Sequence, residues 1–168
     1  MGHPDILARV SHVTTVRVRY GEVDRMGVVY HANYLAYVEQ GRTEYLRSLG
    51  RSYRDVEEAG VLLVVVDAGL RFRRPAGYDD VLRVRTRLVE ARGPRLRFEY
   101  EIEREADGVL VATAHTTLAT TDKAGRPIRP PDALAALLAG SVEPSPDGKA
   151  PAGQGVGEGS SRRGEPVA

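Results

Sequence analysis

Cysteine is absent from all 168 residues, which excludes disulfide frameworks, cysteine-ligated zinc, iron–sulfur clusters and thiol nucleophiles together. Long apolar runs are missing as well. The longest strongly apolar one, Val61 to Val66, is six residues, against ~20 for a helix that crosses a bilayer, so no membrane insertion is expected. Neither sign of charge is in excess: 24 Lys and Arg face 23 Asp and Glu for a net +1, and no global field favours nucleic acid as a partner. Lysine is nearly missing, with only Lys123 and Lys149, so the other 22 basic residues are arginine. The opening Met1-Gly2-His3-Pro4-Asp5-Ile6 lacks the basic-then-apolar pattern of a signal peptide, and Ile6 stands where a myristoylation signal carries Ser or Thr. The expected location is the cytoplasm.

Common catalytic signatures are also wanting. No G-x-S-x-G, H-E-x-x-H or Walker loop occurs. The four histidines, His3, His12, His31 and His115, are too scattered to suggest a metal site. The glycines from Gly153 to Gly159 follow no strand and precede no helix, so they are not a dinucleotide fingerprint.

What is present fits one domain over residues 1–140, too small for a cofactor domain beside a substrate domain. The segment 141–168 holds 6 Gly, 4 Pro and 4 Ser without Leu, Ile, Phe, Met or Tyr, and is expected to be a disordered tail. Thr14 to Tyr20 alternates, with Val16, Val18 and Tyr20 on one face, as a half-buried strand does. A glycine-punctuated loop, Gly21 to Gly27, follows. From about His31 to Leu49, the spacing of Tyr34, Val38, Gly41 and Tyr45 predicts the main helix, with Gly41 marking close approach to a sheet and Gly50 the stop. Pairs Glu39–Arg42 and Glu44–Arg47 are expected on its flanks. Ser52 to Ala59 reads as a short capped helix.

Four strands follow: Val61 to Phe72 with an irregularity at Gly69, Val81 to Glu90, Arg95 to Glu103, and Val109 to Thr121. In the second of these Leu82, Val84, Thr86 and Leu88 point inward; in the third, Leu96, Phe98, Tyr100 and Ile102 do. Hairpin-length links at Gly93-Pro94 and Asp107-Gly108 make the last three an antiparallel meander. Ala133 to Ala139 is a short terminal helix. A sheet with one apolar face needs a cover, and only the helix of residues 31–49 is long enough, which gives an α+β class.

Chemistry concentrates at the strand-to-helix junction, Tyr20 to Tyr34, which holds Glu22, Asp24, His31, Asn33 and several phenols around a glycine hinge. Unsatisfied N–H groups at a helix start, carrying ~+0.5 charge, stabilise an oxygen that gains negative charge. A carboxylate facing them has what acyl transfer requires. Each residue also has an ordinary structural role: Asp24 as a turn former, Glu22 as a solvated loop charge, His31 as a capping or packed imidazole, and Tyr30, Tyr34 and Tyr45 as core aromatics.

The run Y-G-E-V-D-R-M-G-V-V-Y-H-A-N-Y-L-A-Y-V-E-Q-G-R-T-E-Y-L-R, together with Phe72-Arg73-Arg74-Pro75-Ala76-Gly77-Tyr78-Asp79-Asp80 downstream, resembles the signature of hot-dog-fold acyl-CoA thioesterases. These are the group of 4-hydroxybenzoyl-CoA thioesterase and the Tol–Pal-associated thioesterases, and the resemblance covers roughly Val13 to Thr121. It implies a long helix wrapped by a five- or six-stranded antiparallel sheet. It also implies a homo-oligomer that dimerises by continuing the sheet and pairs dimers into a homotetramer, with the active site between subunits.

By the same resemblance Asp24 is the catalytic carboxylate, as general base or as nucleophile through a mixed anhydride. The backbone N–H of His31 binds the thioester carbonyl oxygen, and Tyr20 and the His31 side chain match positions linked with activity. Asn33 matches a polar substrate-side position and serves equally well as a local cap. Arg73 and Arg74 are candidates for the CoA phosphates, with Arg71 and Arg126 behind them. Met26, Val28, Tyr34 and Val64 are candidates to border the acyl pocket, and Met26 replaces a residue that is commonly small. No cofactor is implied, since CoA is part of the substrate. The competing readings are hydrolysis of an acyl-carrier-protein thioester and a non-catalytic acyl-CoA-binding module. A dehydratase of the same fold is disfavoured because its histidine-bearing pattern is absent.

Overall fold

The computed structural model describes residues 11–142. Five strands form one antiparallel sheet: β1 (Ser11–Arg17), β2 (Leu62–Phe72), β3 (Val81–Arg92), β4 (Arg95–Arg104) and β5 (Leu110–Thr121), in the order β1-β3-β4-β5-β2. Helix α1 (Asn33–Ser48) packs on β1 and β3, a short α2 (Tyr53–Glu58) follows it, and α3 (Asp132–Ala139) covers the end of β3. The expected meander is β3-β4-β5, and β2 leaves one long edge open.

The alternating strands bury the faces their sequences assign. Leu82, Val84, Thr86 and Leu88 of β3, and Leu96, Phe98, Tyr100 and Ile102 of β4, are all but inaccessible. Helix α1 turns Tyr34, Tyr37, Val38, Gly41, Tyr45 and Leu46 onto them. At Gly41 the helix comes so near that an added Cβ would stand 2.7 Å from Thr86 Oγ1 and 2.8 Å from Val84 Cγ1. Gly50, with φ of +83°, ends the helix: its N–H reaches Arg47 O at 2.9 Å while Arg51 N–H reaches back to Leu46 O at 3.2 Å. Ser52 caps α2 by accepting from Asp55 N–H, and Asp55 accepts in return from Ser52 N–H.

Several expectations need correction. Strand β1 ends at Arg17, and Tyr20 opens a single 3-10 turn, Tyr20–Glu22, so Tyr20 is 78 % exposed where the alternation put it inside. The irregularity of β2 is a bulge at Val66, between Val65 and Asp67, not at Gly69. Arg42 does not lie on the flank with Glu39 but turns inward, where its Nε donates to the Tyr53 hydroxyl at 2.5 Å and a terminal nitrogen to Tyr100 and Thr116 hydroxyls at 3.4 and 3.3 Å. Glu44 does pair with Arg47. Ser141 and Val142 also belong to the packed unit, since Ser141 O accepts from the Tyr45 hydroxyl and Val142 bridges to Leu88. The remainder of the expected tail lies outside the described residues.

The largest correction is Glu22, which is buried rather than solvated. Its carboxylate accepts from Arg19 N–H at 2.8 Å, from Arg19 Nε and Nη2 at 2.9 and 2.7 Å, and from the Tyr37 hydroxyl of α1 at 2.9 Å. Its carbonyl accepts Tyr30 N–H at 2.9 Å and Asn33 Nδ2 at 2.8 Å. One residue thus ties the end of the β1 segment to the start of α1. Burial pushes the Glu22 carboxyl up, but the Arg19 and Tyr37 hydrogen bonds outweigh it and hold the group below the usual carboxylate range.

Gly41→Ala would gain ~1 kcal/mol of helix propensity yet must push α1 off the sheet, so a net loss of about 1–3 kcal/mol is expected in urea unfolding. Because native Glu22 holds its proton less tightly than the unfolded chain, its stabilisation is full at neutral pH and is lost as pH falls through the lowered native pKa. Glu22→Gln should therefore cost about 1–3 kcal/mol at neutral pH. The gap to the native protein should close as urea titrations are taken down through the lowered native pKa; a constant gap would assign the loss to packing.

Candidate active site

The segment after Glu22 is a small hairpin. Val23 bridges to Val29, Asp24 N–H donates to Val28 O at 2.9 Å, and Gly27 N–H donates to Asp24 O at 2.9 Å. Gly27 takes φ of +74°, which a side chain at that corner would oppose. Asp24 Oδ1 accepts Met26 N–H at 2.8 Å, the turn-forming role of an aspartate. That bond uses one carboxylate oxygen and fixes the side chain, while no protein donor among the described residues takes the other. The hairpin is held to the β2–β3 connection by Val29 N–H to Ala76 O at 2.8 Å and by a bridge from Val28 to Gly77.

Beside this hairpin lies a cavity of about 370 Å³ bordered by Asp24, Met26, Val28, His31, Tyr34 and Phe72, with Arg73, Arg74 and Pro75 on its far side. Asp24 is half-buried at its wall. The helix start is anchored by Asn33 N–H to Tyr30 O at 2.9 Å, and among the described residues no acceptor takes the His31 N–H. Asp24 and His31, the residue just before the Ala32 cap of α1, therefore border one opening, His31 with an unused main-chain N–H. Burial pushes the Tyr34 phenol up, with a main-chain bond at Ala76 opposing it, so Tyr34 contributes a neutral, largely apolar wall.

The sequence-expected residues separate into two groups. Asp24, His31, Arg73 and Arg74 meet at the cavity, as do the pocket candidates Met26, Val28 and Tyr34. Val64 does not, since it lies farther back on β2. Tyr20 is also outside the lining: it packs edge-on against Tyr78 with centroids 5.5 Å apart. Asn33 points its amide at Glu22 O instead of the opening, which makes it a brace of the helix start. Tyr30 is not core but half-exposed against the His31 ring. Asp79 and Asp80 form the turn before β3, with Asp79 at φ of +68° and Asp80 accepting from Gly77 N–H at 2.8 Å. Phe72 and Pro75 were missed as wall residues. Their signal was present in the second motif, but strand alternation alone does not say which side of an edge faces a loop.

Arg73 and Arg74 both donate their backbone N–H to Val111 O, at 2.8 and 3.1 Å, where the chain leaves the sheet. Both side chains are exposed, and neither guanidinium has a carboxylate partner among the described residues; Arg74 donates to Arg73 O at 2.9 Å. No helix among the described residues is long and apolar enough to cross a membrane.

The thioesterase-like superfamily model matches residues 18–138. A putative acyl-CoA thioesterase of Bacillus subtilis, YneP, is 34 % identical over 114 residues, which is 68 % of this chain and 83 % of the relative. Hypothetical protein TT1821 from Thermus thermophilus superimposes with a TM-score of 0.73 at 40 % identity, over 78 % of this chain and 97 % of the other. A DHNA-CoA thioesterase from Staphylococcus aureus gives 0.68 at 33 % identity, over 71 % and 80 %. With the five-stranded antiparallel sheet packed around α1, these likenesses establish that the chain belongs to the thioesterase-like superfamily and has its hot-dog fold.

Proposed function

We propose that the protein hydrolyses an acyl-CoA thioester to a free carboxylic acid and CoA. The observation that carries this reading is that one cavity is bordered both by half-buried Asp24 and by His31, whose main-chain N–H is unused. The carbonyl oxygen accepts from the His31 N–H, which stabilises negative charge as the carbon becomes tetrahedral, an effect of ~3 kcal/mol for such a donor. Asp24 takes a proton from water as the water oxygen attacks the carbonyl carbon. The carbon–sulfur bond then breaks and the thiolate leaves with the proton returned. Direct attack by Asp24, giving an anhydride that water opens, uses the same contacts. Neither route calls for a cofactor.

The acyl group lies toward Val28, Tyr34 and Phe72, and the CoA arm leaves past Arg73 and Arg74, whose exposed guanidinium groups suit phosphate. Tyr20 and Asn33 have no direct part in the single chain; Asn33 positions the His31 donor through the Glu22 carbonyl. The active unit is a dimer in which two copies of β2 pair edge to edge. Support comes from the open β2 edge, where Val64, Val65, Val66 and Phe72 are exposed, an arrangement unusual for an unpaired strand.

Asp24→Asn should keep the fold by circular dichroism and lower acyl-CoA turnover about a hundredfold or more, with thiol release followed over a panel of aliphatic and aromatic acyl-CoAs. Tight binding of several thioesters without release by the native protein would favour a non-catalytic module, and release only from acyl carrier protein would move the substrate to that class. Val66→Lys should shift the native oligomer toward monomer in light scattering and reduce turnover with it; full activity in a monomer would remove the dimer from the proposal.

A further inference from the structure

On the face of the sheet turned away from α1, a second cavity of about 440 Å³ crosses β2, β5, β4 and β3. Its floor follows from the strand register. Gly69 pairs with His115, His115 with Glu99 and Glu99 with Arg87; in the neighbouring row Arg71 pairs with Thr113 and Thr113 with Glu101. Gly69 has no side chain and Thr113 a short one, so the middle of the sheet dips. The His115 ring lies in the gap, where a Cβ on residue 69 would stand 2.3 Å from its Cε1. Asp67 Oδ2 holds its Nε2 at 3.0 Å.

The walls are guanidinium groups. Arg71 rises from β2 and Arg73 from just past its end, with Arg87 and Arg97 opposite, against two carboxylates, Glu99 and Glu101. Those carboxylates are already engaged, Glu101 with Arg87 at 3.3 Å and Arg85 at 3.9 Å, and Glu99 with Arg97 at 3.8 Å. Arg71 and Arg73 have no acidic partner within 4 Å among the described residues. The lining therefore counts four arginines against two carboxylates, and its unpaired guanidinium groups are concentrated on the β2 side.

We infer that this groove binds a phosphorylated nucleotide, its phosphates bridged by Arg71 and Arg73 on one wall and Arg97 on the other, and its base over His115. The volume suits a ligand of that size, and planar guanidinium groups take phosphate oxygens two at a time. Edge pairing through β2 joins backbone groups in the plane of the sheet and leaves this face uncovered. Arg73 borders both this groove and the Asp24 cavity. One source of the nucleotide is thus the far end of CoA lying in the active site, an assignment that rests on the thioesterase reading. The other is a free nucleotide that binds by itself.

Titration calorimetry of the native protein with adenosine bisphosphate, ATP and inorganic pyrophosphate reads the site directly. Binding is expected, weakened about tenfold or more by Arg71→Ala with Arg97→Ala and weakened by added salt, and retained in Asp24→Asn. Replacing both arginines with lysine keeps the charge and should give an intermediate loss, which guards against a folding artefact. If CoA displaces the adenosine nucleotide one for one, the groove holds the end of the substrate; if it does not, the groove is an independent nucleotide site. Absence of binding to all three anions, or binding undiminished by the double alanine substitution, overturns the inference. That failure would leave the hydrolase reading standing, because release of thiol from an acyl-pantetheine, which has no nucleotide, tests it separately.

Discussion

The buried carboxylate of Glu22 is the constraint on which the site depends. A lone buried charge is prohibitive, but here Arg19 supplies three donors and Tyr37 a fourth. The consequence is geometric. With its side chain tied to Arg19 and α1 and its carbonyl tied to Tyr30 and Asn33, Glu22 fixes where the Asp24 hairpin leaves and where α1 begins. The placement of Asp24 relative to the His31 main chain is thereby set by a group that belongs to neither residue. Preorganisation of this kind is what lets a polar site act without rearranging during reaction.

Much of the architecture was legible because it rests on period. Alternation over Leu82 to Leu88 and Leu96 to Ile102, and the three- and four-residue spacing from Tyr34 to Tyr45, are repeated signals that tertiary context has no reason to override. Single residues with two plausible environments were less legible. Glu22 reads as a loop charge until Arg19, three residues back, is seen as its partner. Arg42 reads as a flank residue until Tyr53, Tyr100 and Thr116, distant in sequence, offer it hydroxyls. Tyr20 follows an alternation that the strand itself abandons three residues earlier.

The candidate site was legible only as a proposal, and for a different reason. Asp24 in a glycine-hinged turn is indistinguishable by spacing from any turn former, and it does make the turn bond to Met26. What marks it as a candidate is the resemblance of two motifs in register. Phe72 to Pro75 form the wall opposite the Asp24 hairpin, which a single motif would not have located.

The bulge at Val66 has a consequence for chain length. Before it, Leu63 and Val65 face the helix; after it, Ala68 and Phe72 do, while Gly69, Arg71 and Arg73 look outward. One supernumerary residue thus acts as a phase marker for everything downstream. Deleting it would turn the strand inside out, presenting arginine to the apolar interior and the aromatic ring to water. Along this strand the count of residues is accordingly the stricter requirement, and an insertion or deletion of one residue there is a graver change than most substitutions.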